Sequence, residues 1–279
     1  MRLALVQPAS GSGADESRNA AQALQWLQQA ADAGAELVVF PEGYPGPINP
    51  ANTYDAFSPL RRRAAELGLH VVASRARSAQ GGHGVELCVI DDSGDITGSY
   101  LRTSPRGPYV YRDIDAWNFD YIESDTPPTV VQTRLGKIGL LVCSEIYIPE
   151  LSRLLTLQGA DVIVYPAGGA INELLPGWRT LVWARAIENL VFTAACQNLY
   201  GGEEGVGTIA SPEGILAADS REGLIVADLD FERLRYLRET KESITFPKPY
   251  STIPGVIAWR RPELYGGLSG SLLDDDHKR

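Results

Sequence analysis

Residues 139–150 read GLLVCSEIYIPE. An apolar run ends in Cys143 and gives way at once to polar residues and Pro149, the pattern of a buried strand that turns toward a helix. Such a turn can expose a nucleophile above a sheet and aim backbone N–H groups at a developing oxyanion. The other two cysteines, Cys88 and Cys196, lie inside apolar strand patterns and read as small buried hydrophobes.

Upstream, a strand over Leu3–Gln7 precedes a helix over Glu16–Ala33, in which Ala20, Ala23, Leu24, Leu27 and Ala30 recur at helical spacing. Gly34 is placed to cap it. The strand ELVVF (36–40) then breaks into PEGYPGPINP, a loop at a strand's carboxyl end. A helix is predicted over Tyr54–Leu67, followed by the short strands HVVAS (70–74), VELCVI (85–90) and ITGSYL (96–101), an antiparallel portion. The long irregular stretch Thr103–Pro128 is expected to border the active site, because loops of that size in compact domains often bind or cover ligands.

Downstream of it, TVVQT and KIGLLVC lead to a helix near Pro149–Gln158. DVIVYP, a helix over Trp178–Asn189 and LVFTAAC repeat the alternation, and VGTIA and GLIVADL precede a last helix around Phe231–Glu239. Strand–helix–strand units interleaved with antiparallel pairs indicate an α/β protein whose helices cover the sheet faces. No linker, repeat or low-complexity block divides the chain. One domain is expected over residues 1–279, with a flexible tail from about residue 265.

With 35 acidic against 25 basic residues, the formal charge of −10 disfavours nucleic acid and anionic membrane surfaces as partners. The one basic run, Arg61 to Arg63, reads as the solvated face of a helix. The start, MRLALVQPAS, is too brief an apolar stretch for a signal sequence or a membrane span, so a soluble cytoplasmic protein is expected. Three widely spaced cysteines, without a C-x-x-C pair or neighbouring histidines, indicate neither a disulfide framework nor a zinc site.

A cysteine nucleophile needs a base, most often histidine. His277 lies in the tail, His83 in the turn GGHG, and His70 opens a strand, so none stands in a catalytic setting. A carboxylate is the more economical base. Glu42, directly after ELVVFP, ends a buried strand where a charge must face solvent or a cleft.

The blocks VVFPEGY, GLLVCSEIYIPE and WARAIENLVFTAACQN occur in this order, and the chain from LALVQ through GTIASPEGILAADSREGLIVADLD resembles the nitrilase, or carbon-nitrogen hydrolase, superfamily. The resemblance implies a four-layer α/β/β/α sandwich and a Glu-Lys-Cys triad acting on nitriles, amides or carbamoyl compounds. Glu42 and Cys143 match two of its members. The resemblance also implies that no metal or organic cofactor is required and that the chain pairs as a homodimer or larger assembly through helices near the nucleophile.

The third member differs. Where the family carries lysine, GSYLRTSP places Arg102, a bulkier, permanently charged group that can stabilise an oxyanion but does not readily give up a proton. A second family glutamate has only Asp120 and Glu123, in DAWNFDYIESD, as candidates, with solvent-facing loop acids the plainer reading. Ser144 can lend its backbone N–H to the oxyanion, and Tyr165 ends a strand on the expected rim. Arg185 and Glu188 stand in i, i+3 relation and read as a structural ion pair. Trp178 and Trp183 read as core or subunit contact.

With these residues the resemblance implies hydrolysis of a non-peptide C–N bond in a small molecule, an amide or carbamoyl group before a nitrile. Transfer of the acyl group to an amine, and a catalytically altered protein that binds a small molecule or partner, stand as alternatives.

Overall fold

The computed structural model describes residues 1–48, 51–79, 82–103, 126–169, 175–201, 204–238 and 260–269. The chain forms two compact units, Met1–Leu234 and Arg235–Arg279. The second contributes to the description the end of one helix and two short 3₁₀ turns, Pro262–Leu264 and Gly266–Ser269. The rest of the expected tail, residues 270–279, lies outside the described residues.

Two six-stranded sheets build the first unit. One contains β1 (Arg2–Gln7), β2 (Leu37–Val39), β3 (His70–Ala79), β4 (Gly82–Ile90), β5 (Ile96–Leu101) and β12 (Gly223–Asp228), in the order β12-β1-β2-β3-β4-β5. The other contains β6 (Val130–Thr133), β7 (Gly136–Leu140), β8 (Val162–Ala167), β9 (Phe192–Gln197), β10 (Thr208–Ser211) and β11 (Gly214–Ala218), in the order β11-β10-β9-β8-β7-β6. Parallel trios, β1-β2-β3 and β7-β8-β9, form the centre of each, with antiparallel strands at the flanks. The helices are α1 (Arg18–Asp32), α2 (Phe57–Leu67), α3 (Pro149–Leu157), α4 (Leu175–Asn189) and α5 (Phe231–Arg238).

Because successive side chains of a strand face opposite ways, each sheet serves two apolar layers. Leu3, Leu5, Leu37, Val39 and Leu87 join Val164, Ala194 and Cys196 in the cluster between the sheets. Their neighbours Ala4, Val6, Val38 and Cys88 pack with Ala23 and Leu27 of α1 and Leu60 and Ala64 of α2. On the second sheet, the Tyr165 hydroxyl pairs with Ser152 of α3 at 3.0 Å and Thr193 donates to the Val182 carbonyl of α4 at 2.7 Å. The expected four-layer α/β/β/α sandwich is the fold.

The elements depart from expectation at several boundaries: β3 runs on to Ala79, β4 starts at Gly82 and α1 starts at Arg18. Helix α2 starts at Phe57 and leaves Tyr54 outside, where its hydroxyl donates to the Pro45 carbonyl at 2.8 Å. Asp55, one residue ahead of the N-cap Ala56, accepts from the Ser58 N–H of the first turn at 2.9 Å. Helix α4 starts earlier than expected, at Leu175, since Pro176 in a first turn forfeits no helical hydrogen bond. Strand β11 was not anticipated, because Ile215 and Leu216 are both exposed and its side chains show no alternation to read.

Candidate active site

Strands β2, β7, β8 and β9 end on one side of the sandwich, and ligands of α/β folds bind beyond such carboxyl ends. The proline-rich loop after β2 stays against β3 instead of leaving into solvent: Ser74 N–H donates to the Tyr44 carbonyl at 2.9 Å and Ala76 N–H to that of Pro47 at 2.8 Å. This holds Glu42 inside, with only 3% of its surface exposed. A buried carboxylate needs donors. Arg102 Nη1 supplies one to Oε1 at 2.7 Å, and the Gly168 N–H, just beyond β8, supplies another to Oε2 at 2.9 Å.

Arg102 follows β5 and is fully buried, anchored by its own N–H on the Val85 carbonyl at 2.9 Å. Its Nη2 donates to Ser144 Oγ at 2.6 Å. One guanidinium thereby links the Glu42 carboxylate to the residue that follows Cys143.

Cys143 opens a 3₁₀ turn, Cys143–Tyr147, and has φ of 49°. A left-handed conformation costs a non-glycine residue about 1–3 kcal/mol and persists where the surroundings enforce it. Glu145 and Arg185 do so. The Glu145 N–H donates to the Val142 carbonyl at 3.0 Å while its Oε2 accepts from the Val142 N–H at 2.8 Å. From α4, Arg185 Nε donates to the Ile146 carbonyl at 2.9 Å, and its Nη1 pairs with Glu188 at 2.7 Å, the structural pair expected from the sequence.

The Cys143 thiol is half-buried and pushed up to about 12, first by desolvation and then by the Glu42 charge. Arg102 and the Gly168 N–H pull the other way. Burial beside the Glu42 side chain therefore favours the neutral form of the Cys143 thiol.

A carbon-nitrogen hydrolase family model matches residues 2–239. The chain belongs to that family. It is 30% identical over 212 residues to an (R)-stereoselective amidase from Pseudomonas sp., covering 74% of each chain. It is 26% identical over 218 residues to the N-carbamoylputrescine amidase of Arabidopsis thaliana, covering 71% of each. Among solved structures, a variant of the amidase from Nesterenkonia sp. AN1 in complex with butyramide superposes with a TM-score of 0.72 at 25% identity, over 85% of this chain and 93% of that one.

In this carbon-nitrogen hydrolase the structure brings together Glu42, Arg102, Cys143 and Ser144. Tyr165 is not brought to them: fully buried, it points at Ser152 in the outer helix layer, because alternation along β8 turns it away from the inter-sheet side. Asp120 and Glu123 lie outside the described residues, as does most of the Thr103–Pro128 stretch. Trp178 is core, edge-on to Tyr147 at 5.8 Å between ring centroids.

Two site residues escaped the sequence reading. Glu145 is fully buried and accepts from Tyr100 Oη at 2.7 Å and from both Thr103 N–H and Oγ1 at 3.0 Å, fastening the end that carries Arg102 to the nucleophile turn. Its signal was an acid two residues after a candidate nucleophile. Gly168 carries a signal only in space, since a Cβ there would stand 2.9 Å from Glu42 Oε2.

Among the described residues, no three His, Cys, Asp or Glu side chains are grouped to hold a metal ion. A cavity of about 740 Å³ lined by Phe57, Arg75, Arg77, Glu86 and Cys88 lies apart from Glu42, Arg102 and Cys143, none of which lines it.

Proposed function

We propose that this chain hydrolyses a non-peptide C–N bond of a small amide or carbamoyl compound, with Cys143 as nucleophile, Glu42 as base and Arg102 as the fixed cation of the site. The observation that carries the reading is the meeting of the Cys143 thiol, the Glu42 carboxylate, Arg102 and the Gly168 N–H at the strand ends. As the sulfur attacks the carbonyl carbon, Glu42 accepts the thiol proton. The tetrahedral oxyanion is stabilised by Arg102 and by backbone N–H groups of the nucleophile turn, Ser144 included. Glu42 returns the proton to the departing nitrogen, ammonia or an amine leaves, and a thioester remains on Cys143. A water molecule, deprotonated by Glu42, cleaves the thioester and releases the acid and the thiol.

The named amidases among the relatives support an amide or carbamoyl substrate over a nitrile. The test is ammonia release from a panel of amides, carbamoyl amino acids, ureas and nitriles. Release by the natural protein that vanishes in Cys143→Ala is the expected result. A silent natural protein with activity gained in Arg102→Lys would overturn Arg102 as a working member of the site.

We further infer one domain, a cytoplasmic location and a homodimer. Tyr147, Leu154 and Leu157, exposed by 45%, 37% and 51% on the nucleophile turn and α3, form an apolar face suited to a second copy. Among the described residues no helix is long and apolar enough to cross a membrane. Sedimentation at micromolar concentration tests the dimer, and a monomer there refutes it.

A further inference from the structure

The hydrolytic geometry spans two sheets that share no backbone ladder, so something must hold the base and its facing N–H in register. Glu42 comes from the first sheet, whereas Cys143 and Gly168 come from the second. Asn198, the residue directly after β9, sits between them and is almost completely buried.

Its side chain is fully committed. Nδ2 has two hydrogens, and they go to two carbonyls: that of Glu42 at 2.7 Å and that of Gly168 at 3.2 Å. These are the two residues whose other groups, the carboxylate and the N–H, meet at 2.9 Å beside Cys143. Oδ1 accepts from Ser10 Oγ at 2.6 Å. This settles which way the amide points, because the reverse orientation would set Oδ1 against two carbonyl oxygens. The backbone repeats the bridge. Asn198 N–H reaches the Ala167 carbonyl at 3.4 Å, Leu199 N–H the Pro8 carbonyl at 2.9 Å, and Ser10 N–H returns to the Leu199 carbonyl at 3.0 Å. Asn198 is thus bonded at once to the chain leaving β1, the chain leaving β2 and the chain leaving β8.

We propose that Asn198 is a positioning residue: by holding the carbonyls of Glu42 and Gly168 on one amide, it fixes the distance at which carboxylate and N–H face the Cys143 thiol. It touches neither thiol nor substrate. A residue with this task alters turnover more than substrate affinity, since misplacing a reacting group by about 1 Å costs about a hundredfold in rate. The proposal rests on the hydrolytic reading above, and Cys143→Ala serves as the control that separates the two.

The test compares Asn198→Ala, Asn198→Asp and Ser10→Ala on the best amide of the panel, with thermal unfolding recorded for each. Expected for Asn198→Ala is a kcat lowered about ten- to a hundredfold with KM changed less than about threefold. Asn198→Asp is the sharper probe. Its carboxylate puts an acceptor oxygen in the place of Nδ2, against both carbonyls, and protonation of that oxygen restores one O–H donor. Its kcat relative to the natural protein therefore climbs as pH falls through the aspartate titration, and the ratio cancels what Glu42 contributes to both. A merely structural asparagine would lower Tm without giving that slope. Ser10→Ala removes the bond that orients the amide, along with the long contact of Ser10 Oγ to the Pro8 carbonyl at 3.4 Å, and is expected to lower kcat a few-fold; with Asn198→Asp it carries the test if Asn198→Ala does not fold. Turnover lost in Cys143→Ala but kept within twofold in Asn198→Ala, or an Asn198→Asp ratio that is flat with pH, overturns the proposal. Turnover that survives in Cys143→Ala overturns the hydrolytic reading itself.

Discussion

Replacing Arg102 with methionine removes the cation from a pair that is closed to water on both sides. Arg102 is fully buried and Glu42 3% exposed, at 2.7 Å from each other. Methionine fills much of the volume but supplies no donor, so the carboxylate loses its cation and keeps only the Gly168 N–H at 2.9 Å and the neutral Cys143 thiol, and Ser144 Oγ loses its donor. Stripping one partner from a buried pair costs about 3–5 kcal/mol, because the remaining charge stays desolvated. For a unit of this size that corresponds to a fall in Tm of about 6 to 20 °C. The assay is urea unfolding followed by circular dichroism, on Arg102→Met, Glu42→Gln and the double variant. Since an uncharged pair of similar volume is often as stable as the ions it replaces, the double variant should recover at least about 2 kcal/mol of the loss. An Arg102→Met protein destabilised by less than about 1 kcal/mol, or a strictly additive double variant, would refute the reasoning.

Adding a methyl group at Gly168 puts a Cβ 2.9 Å from Glu42 Oε2; Gly168→Ala is expected to lower kcat about ten- to a hundredfold by displacing the carboxylate, and unchanged steady-state kinetics would refute this. Alkylation by iodoacetamide should be slow at neutral pH and should rise about tenfold per pH unit toward the Cys143 value of about 12. Because the Glu42 charge helps hold that value up, Glu42→Gln should shift the labelling curve to lower pH even as turnover is lost; an upward shift would contradict the sign. Tyr165→Phe removes a buried hydroxyl pair with Ser152, so stability should fall by about 1 kcal/mol while kcat and KM stay put, and a large kinetic effect would return Tyr165 to the site.

The fold was legible because its signals are local. The apolar runs of β1, β2, β7, β8 and β9 and the helical spacing in α1 each lie within a short window. Gly34, with φ of 75°, ends α1 as its position suggested, with the Ala35 N–H bonded to the Ala30 carbonyl at 2.9 Å. Strand β11 carries the short apolar run GILAA as well, but Ile215 and Leu216 are both exposed in the fold, so its pattern is neither the alternation nor the burial expected of a strand.

At the site, a strand ending in a charge and a strand ending in a thiol made Glu42 and Cys143 candidates, and the family resemblance of the blocks that carry them singled them out. Arg102 was found only as a departure at a family position. Glu145, Gly168 and Asn198 stayed hidden, because each acts on a residue far along the chain: Gly168 on Glu42, Glu145 on Tyr100 and Thr103, Asn198 on Ser10, Glu42 and Gly168.

The four layers came from the family resemblance; the sequence pattern by itself determined most of the strands and helices, and which thiol and which carboxylate stand at strand ends. Those are consequences of hydrophobic period and of where the apolar runs stop. Tertiary structure alone decided that the two sheets meet with these ends together, that Arg102 closes on both Glu42 and Ser144, and that desolvation pushes the pKa of the thiol up. Distance, burial and dielectric are properties of the packed sandwich, and no window of residues contains them.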